Sequence, residues 1–294
     1  MKVYYSGDRT DSSIALLGMF DGMHKGHRTL AEKAVSLGCE LNLPVIMYTF
    51  DVNPKSVKKR LMSNEAKIER CSKWGIDGIY FETFDEKFRR TLPSEFISNV
   101  LENSLNVKAV VVGDDYRFGY MGNGTPEMLS GNGFDVYVMP QLKEYGIDIS
   151  SSAIRALIEQ CKISEANELL GYTYSLEGEV VHGRGVGRTF GVCTANIEID
   201  PAFVLPGDGV YITKVFVDGK SYKSLTNIGF KPTFGLDFRT VEVHIMGFDG
   251  DLYGKPVKLE FEKFLRREVA FESPDELKAQ IQKDISELER YYER

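Results

Sequence analysis

Up to about residue 160 the chain alternates two hydrophobic patterns. Short apolar runs at 13–20, 44–50, 77–81, 108–113 and 134–139 predict strands. Between them, 26–42 and 64–74 carry apolar residues at helical spacing, and Ser94 after Pro93 predicts the N-cap of a helix running to Leu105. The run Lys-Ala-Val-Val-Val-Gly at 108–113 is nearly continuous in β-branched residues, as in a strand buried on both faces. Such alternation predicts an α/β domain with a doubly wound parallel sheet.

A helix over 156–171 ends at Gly171, a residue suited to the left-handed position after a helix, and this places the boundary between domains 1–171 and 172–294. Beyond it the period becomes two. Segments 177–181, 194–199, 209–217, 222–228, 241–248 and 257–264 read as strands, with hairpin signals at Asp218-Gly219 and Asp249-Gly250. Six antiparallel strands in so short a stretch predict a small β-barrel. A closing helix over 274–294 places Leu277, Ile281, Ile285, Leu288 and Tyr292 on one stripe.

Composition narrows the function classes. With 294 residues, 43% hydrophobic and 27% charged, the chain can bury two cores without metal or disulfide staples. The net charge of −7 is spread evenly: from Thr173 onward there are 16 basic and 20 acidic residues, leaving 20 and 23 before it. No basic face emerges, which disfavours a nucleic-acid partner. No apolar run reaches the ~18 residues of a membrane span, and the N-terminus lacks a signal-peptide pattern, so the cytoplasm is the expected location, without a membrane partner. Cys39, Cys71, Cys161 and Cys193 are widely separated, consistent with thiols in a reducing compartment.

The first strand runs into Gly18-Met-Phe-Asp-Gly22-Met-His24-Lys-Gly26-His27. The glycines let the backbone approach a ligand, and the helix that starts near Gly26 points its free N–H groups at the end of the strand, where phosphate binds. His24 and His27, three apart, can meet one phosphate and stabilise charge developing on it as pyrophosphate leaves. Either histidine alone would read as an ordinary surface residue, and no Glu follows the first as in a zinc-protease helix.

This segment resembles the His-x-Gly-His nucleotidyltransferases, and the longer string Gly-x-Phe-Asp-Gly-x-His-x-Gly-His is similar to their prokaryotic FAD synthetase branch. Two further segments extend the likeness: 111–119, Val-Val-Gly-Asp-Asp-Tyr-Arg-Phe-Gly, and 149–155, Ile-Ser-Ser-Ser-Ala-Ile-Arg. The resemblance implies catalytic roles for His24, His27 and Arg155, and ATP contacts from Gly18, Phe20, Asp21, Gly22, Gly26, Ser150, Ser151 and Ser152. It implies flavin contacts from Asn53, Pro54, Asp114, Asp115, Tyr116 and Phe118. The chain departs from the family at Val52-Asn53, where Pro-His is usual, and after Gly119, where the usual Arg is missing.

A second glycine-rich stretch, Gly183-Arg-Gly185-Val-Gly187-Arg188, is followed by an extended segment rather than a helix, so a dinucleotide fold is excluded and a phosphate-cradling flap fits better. Cys193-Thr194-Ala-Asn196 follows, similar to the Pro-Thr-Ala-Asn of riboflavin kinases with Cys in place of Pro. The segments 205–211, 227–233, 240–244 and 249–254 continue that likeness in order. The resemblance implies that Gly183, Gly185, Gly187 and Arg188 hold ATP, that Thr194 and Asn196 serve both ATP and Mg²⁺, and that Glu242 is the base for the ribityl 5′-hydroxyl. Mg²⁺ favours oxygen ligands shared with phosphate. Taken singly, Glu242 is a solvent-facing strand residue and Thr194 and Asn196 ordinary polar ones; His182 and His244 are left structural.

The expected enzyme is an α/β nucleotidyltransferase domain joined to a β-barrel riboflavin kinase. It would convert riboflavin to FMN and FMN to FAD with ATP and Mg²⁺, as a monomer or weak homo-oligomer. The alternatives are a chain retaining one of the two activities, or a flavin-binding regulator.

Overall fold

The computed structural model describes residues 1–51, 59–144, 146–182, 194–233 and 236–293. They divide into two compact units, Met1–Ser151 and Ser152–Arg294.

In the first unit, strands β1 (Lys2–Tyr5), β2 (Ser13–Leu17), β3 (Val45–Phe50), β4 (Gly78–Glu82), β5 (Val107–Gly113) and β6 (Asp135–Met139) form one sheet in the order β1-β4-β3-β2-β5-β6. Every pairing is parallel. The chain moves outward from β2 to β3 and β4, then returns to β5 on the other side of β2. The strand order therefore reverses between β2 and β5, and their carboxyl ends, Leu17 and Gly113, flank the crevice where open α/β sheets bind ligands.

Strand β2 is buried along its whole length, and its alternation serves two cores. Ile14 and Leu16 pack with Ala31, Ala34 and Leu37 of α1 (Lys25–Leu41) and with Cys71 of α2 (Asn64–Lys73). Ala15 and Leu17 pack on the opposite face with Phe96, Ile97, Val100 and Leu101. The helices α3 (Glu86–Arg89), α4 (Pro93–Glu95) and α5 (Pro126–Gly131) are short. The helix predicted from Ser94 differs in two ways. Its N-cap is Leu92, whose N–H is satisfied by the Glu95 carboxylate at 2.8 Å, and residues Phe96–Ser104 form a π-helix. Edge strand β1 and the two-residue strands β7 (Lys143–Glu144) and β8 (Ile147–Asp148) were not legible in the hydrophobic pattern.

In the second unit, the single helix expected over 156–171 is two: α6 (Ser151–Glu159), which begins at the end of the first unit, and α7 (Ile163–Leu170). The break falls at Cys161, which takes a left-handed φ of 66°. Gly171 takes the expected left-handed C-cap, with φ 76°. Helix α7 goes with the barrel because Asn167 accepts from the Tyr174 N–H at 2.7 Å and donates to the Phe261 carbonyl at 2.9 Å. The boundary expected at 171/172 and the compact-unit boundary at 151/152 thus differ by this helical pair.

Strands β9 (Tyr174–Val181), β10 (Thr194–Ile199), β11 (Gly209–Val217), β12 (Lys220–Thr233), β13 (Leu236–Ile245) and β14 (Pro256–Arg266) close a barrel in the order β10-β13-β12-β11-β14-β9. Asp218 and Gly219 both have positive φ and close the β11–β12 hairpin, as expected of a two-residue primed turn. Asp249-Gly250 makes no such hairpin: it lies in the connection from β13 to β14, which are not neighbours in the barrel. Gly178 is required where β9 crosses β10, because a Cβ there would lie 2.4 Å from the Glu198 carbonyl oxygen.

Helix α8 (Pro274–Tyr292) packs Leu288 and Ile285 against Val210, Ile212 and Leu225. A charged tie reinforces it: the buried Asp284 carboxylate receives the Arg266 guanidinium in a fork at 2.7–3.1 Å and the Gln280 amide at 2.7 Å. Removing one partner of a buried pair leaves the other charge uncompensated. Asp284→Ala is therefore expected to lower the unfolding free energy of the barrel unit by roughly 3 kcal/mol, read from its denaturant midpoint. A loss under about 0.5 kcal/mol would mean the pair behaves as an exposed one.

Candidate functional sites

The first site grows from the end of β2. After Leu17 the chain turns through Gly18–Gly22 into α1, with Phe20 and Met23 at positive φ of 47° and 32° and Gly22 at 77°. Gly18 has no room for a side chain, since a Cβ would lie 2.8 Å from the Phe20 ring. The turn is tied down at several backbone atoms. Gly18 N–H donates to the Tyr48 carbonyl at 3.3 Å, and the Met19 carbonyl accepts from the Thr49 hydroxyl at 2.8 Å and from the Lys67 ammonium at 3.1 Å. The Asp21 carboxylate accepts from Leu61 N–H at 3.0 Å, and its carbonyl accepts from the Ser151 hydroxyl at 2.8 Å.

His24 is the N-cap of α1. Its Nδ1 accepts from the His27 N–H at 3.4 Å, so in the neutral ring the proton sits on Nε2, which becomes a donor. The His24 and His27 rings stack with centroids 3.6 Å apart, and the buried Phe20 ring meets His27 edge-on at 5.1 Å. Gly26 lets the pair close, its Cα side lying against the His24 ring. Burial lowers the His24 pKa to about 4, and burial, His24 and the Lys67 charge together hold His27 well below the usual imidazole range. Both rings are thus neutral at pH 7. Among the described residues, His27 Nδ1 is buried without a hydrogen-bond partner, and the first turn of α1 holds no acidic residue. A helix N-terminus with free N–H groups, neutral imidazoles and a buried cation favours an anion.

Asp114 and Asp115 lie exposed just past the end of β5, on the other side of the crevice, followed by the half-buried Tyr116. Tyr116 stacks on Phe118 at 5.9 Å, and Phe118, only 6% exposed, packs on Phe96 at 5.1 Å within the core. Ser150 precedes α6; Ser152 and Arg155 follow Ser151 along that helix, in the second unit. Asn53 and Pro54 lie outside the described residues. Sequence reasoning passed over Lys67, which falls with Cys71 and Trp74 on the buried stripe of α2; a lysine on an apolar stripe was the available signal.

The second site lies on the barrel. Ala195, Ile197, Val241 and Val243 face one way, and Thr194, Asn196, Glu242 and His244 the other. The register sets Asn196 directly opposite Glu242, and Glu242 directly opposite Asn227 on β12, giving one polar row across three strands. Asn227 donates to the Glu268 carboxylate at 3.0 Å; neither of these two was singled out from the sequence as a site residue. A cavity of about 430 Å³ is lined by Thr194 together with Val180, Ala195, Val243 and Ile245 and by Phe248, Asp249 and Asp251; Asn196 and Glu242 are not among the residues that line it. At its edge His182 stacks on Tyr253 at 3.8 Å, which accounts for that histidine. Gly183, Gly185, Gly187, Arg188 and Cys193 lie outside the described residues.

The histidine pair gives the first unit an acid-sensitive stability. A pKa lower in the folded than in the unfolded state means the unfolded chain binds more protons, so stability is full above about pH 6.5 and is lost as pH falls toward 4. For His24 the loss is at most about 3 kcal/mol. His24→Asn retains an N-cap acceptor and removes this group, so its melting temperature should fall less than the wild type's between pH 7 and 5. Equal falls would assign the acid sensitivity to other residues.

Comparison with known proteins covers both parts of the chain. The FAD synthetase family matches residues 7–153 and the riboflavin kinase family residues 170–292. Proteins described as bifunctional riboflavin kinase/FMN adenylyltransferase are similar over nearly the whole chain. That of Bacillus subtilis is 34% identical, covering 95% of this chain and 92% of its own. That of Escherichia coli is 35% identical, covering 93% and 91%. A crystal structure from Streptococcus pneumoniae, described as a macrolide-efflux protein, shares the fold with a TM-score of 0.90 and 29% identity, covering 97% of this chain and 98% of its own. Among the described residues no helix is long and apolar enough to cross a membrane. With two-domain relatives above 30% identity and both family matches in order, the chain belongs to the bifunctional riboflavin kinase/FMN adenylyltransferase family.

Proposed function

We propose that this chain makes FAD from riboflavin in two ATP-dependent transfers, acting in the cytoplasm as a monomer or weak homo-oligomer. The observation that carries the adenylyl-transfer half is the stacked pair of neutral imidazoles at the α1 N-terminus, set where the strand order reverses.

In that half an FMN phosphate oxygen attacks the α-phosphorus of ATP and pyrophosphate departs. His24 Nε2–H and the neutral His27 donate to the α-phosphate oxygens, and the free N–H groups of α1 add to them. Because both rings are uncharged before ATP arrives, they act as aimed donors, and most of the barrier reduction comes from positioning. Gly18, Gly22 and Gly26 let the backbone come close, Phe20 and Asp21 hold the turn, and Ser150, Ser151 and Ser152 are assigned to ATP by the family motif. Arg155 is likewise assigned by the family motif, as a forked cation for phosphate. Asp114, Asp115 and Tyr116 form the flavin side of the crevice, with Phe118 behind Tyr116, and Asn53 and Pro54 are assigned to it by the family motif.

In the kinase half the Glu242 carboxylate takes the proton from the ribityl 5′-hydroxyl, whose oxygen attacks the γ-phosphorus of ATP as ADP leaves. The strand register that places Asn196 opposite Glu242 supports this assignment. The cavity lined by Thr194 is assigned to the nucleotide, and Gly183, Gly185, Gly187 and Arg188 are assigned to its phosphates by the family motif.

Mg²⁺ fits the donor set. Thr194 and Asn196 present oxygen atoms on one face of β10. That suits a hard cation sharing its ligands with phosphate. Bound there, it would neutralise charge on the transferred phosphoryl group.

Purified protein with Mg²⁺-ATP and riboflavin should give FMN transiently and then FAD, separated by chromatography. His27→Ala should cut FAD formation by about 10²–10³-fold and leave FMN formation unchanged. Glu242→Gln should do the reverse, by about 10²–10⁴-fold. A folded variant losing both activities would break the division of labour.

A further inference from the structure

Lys67 is out of place by every packing rule. It lies in the middle of α2, is 6% exposed, and shares its helix face with the buried Cys71 and the core-packed Trp74. Lysine is almost never fully buried without a partner of opposite charge. Here the two acceptors of the ammonium are neutral: the Met19 carbonyl at 3.1 Å and the Thr49 hydroxyl at 3.2 Å. Asp21 and Asp51 act on it as nearby charges, not as hydrogen-bond acceptors. An ammonium has three donors, so one remains for another acceptor.

The Met19 carbonyl belongs to the turn that builds the histidine site. It accepts from Thr49 and from Lys67 together, while Met19 itself is 61% exposed. The next residue, Phe20, holds the left-handed conformation that brings its ring against His27. A line of contacts thus runs from Lys67 to Met19, to Phe20 and to His27.

Resting on the adenylyl-transfer reading above, we propose that Lys67 is a positioning residue of that site. Its buried ammonium fixes the Gly18–Phe20 turn against His27, and it supplies a fixed positive charge that the triphosphate of ATP compensates.

The surroundings of the ammonium agree with such a poised charge. Asp21 from the β2–α1 turn and Asp51 beyond β3 favour the charged form, and Arg60 before α2 opposes it. Cys71, one turn along α2, is pushed up to about 12 by burial and is a neutral thiol; the ring of His27 on α1, on which the Lys67 charge acts, is neutral as well. Burial outweighs the carboxylates and lowers the Lys67 pKa to about 8. The charge is therefore present at pH 7 and lost above about pH 8.

The test compares wild type, Lys67→Met and Lys67→Arg as full chains. With FMN and Mg²⁺-ATP, wild-type kcat/KM for ATP should fall above about pH 8. Lys67→Met should lower it at least 10-fold at pH 7 and lose that alkaline limb, while Lys67→Arg should recover most of the rate and carry the limb out of range. FMN formation from riboflavin by the same samples reports that the barrel unit is intact, and the melting transition reports whether the unit that carries Lys67 is folded. A second readout needs no turnover: the chain has four histidines, so the His27 titration can be followed by NMR. Removing the Lys67 charge should raise the His27 pKa, and Lys67→Arg should not. If wild type forms no FAD, the adenylyl-transfer reading fails and the His27 titration alone judges whether the ammonium acts on that ring. A Lys67→Met chain that melts earlier but keeps the wild-type pH profile and His27 titration would make Lys67 a packing residue and overturn the proposal.

Discussion

Two imidazoles at the head of α1 must be neutral and already turned toward their target before a phosphate arrives, and burial is the physical term that achieves both. Their environment is otherwise rich in positive character: a helix N-terminus without an acid in its first turn and the ammonium of Lys67. Protonating either ring there would add a like charge in a place poor in water. Desolvation and these neighbours act in the same direction, so the rings remain donors and acceptors rather than cations. The tight turn at Gly18–Gly22 follows from that requirement, since a backbone with several positive φ values brings Phe20 edge-on against the stacked imidazole pair.

The barrel meets its own demand by different means. There the functional side chains stand on strands, and a strand needs no special turn to bring them together. Pairing alone sets Asn196, Glu242 and Asn227 in one row, while the alternate positions Ile197, Val241 and Val243 are buried. A one-residue slip of β10 would bury the polar row and expose the apolar one, so the core itself enforces the register. In this half, stability and site geometry are two faces of one alternation.

That contrast explains what could be read from the residues. The parallel sheet and the six-stranded barrel were legible because β2 and β5 are almost continuously apolar and the later strands alternate. Edge strand β1 was missed because four residues with mostly exposed side chains leave no hydrophobic signature. The segment after Pro93 was read as an ordinary helix because a π-helix differs by one residue in its hydrogen bonds, not in its apolar spacing over so short a run. The break at Cys161 was invisible for a related reason: the helical stripe resumes after it, and neither Gly nor Pro marks it. The Asp249-Gly250 pair misled because a turn signal states that the chain bends, not which strands the bend joins.

The histidine site was legible at its motif and opaque at its supports. Gly18, His24, Gly26 and His27 lie within ten residues, so their joint chemistry is visible in one glance at the chain. The groups that hold them come from elsewhere: Thr49 at the end of β3, Leu61 and Lys67 around the start of α2, and Ser151 at the start of α6. Three of these four ties end on backbone carbonyls of Met19 and Asp21, which every residue type possesses, so no side-chain pattern could announce them. A motif can therefore name the reacting groups while leaving unstated what aims them. What remains visible in such a case is the anomaly it forces on the partner: a lysine where the helix should have been apolar.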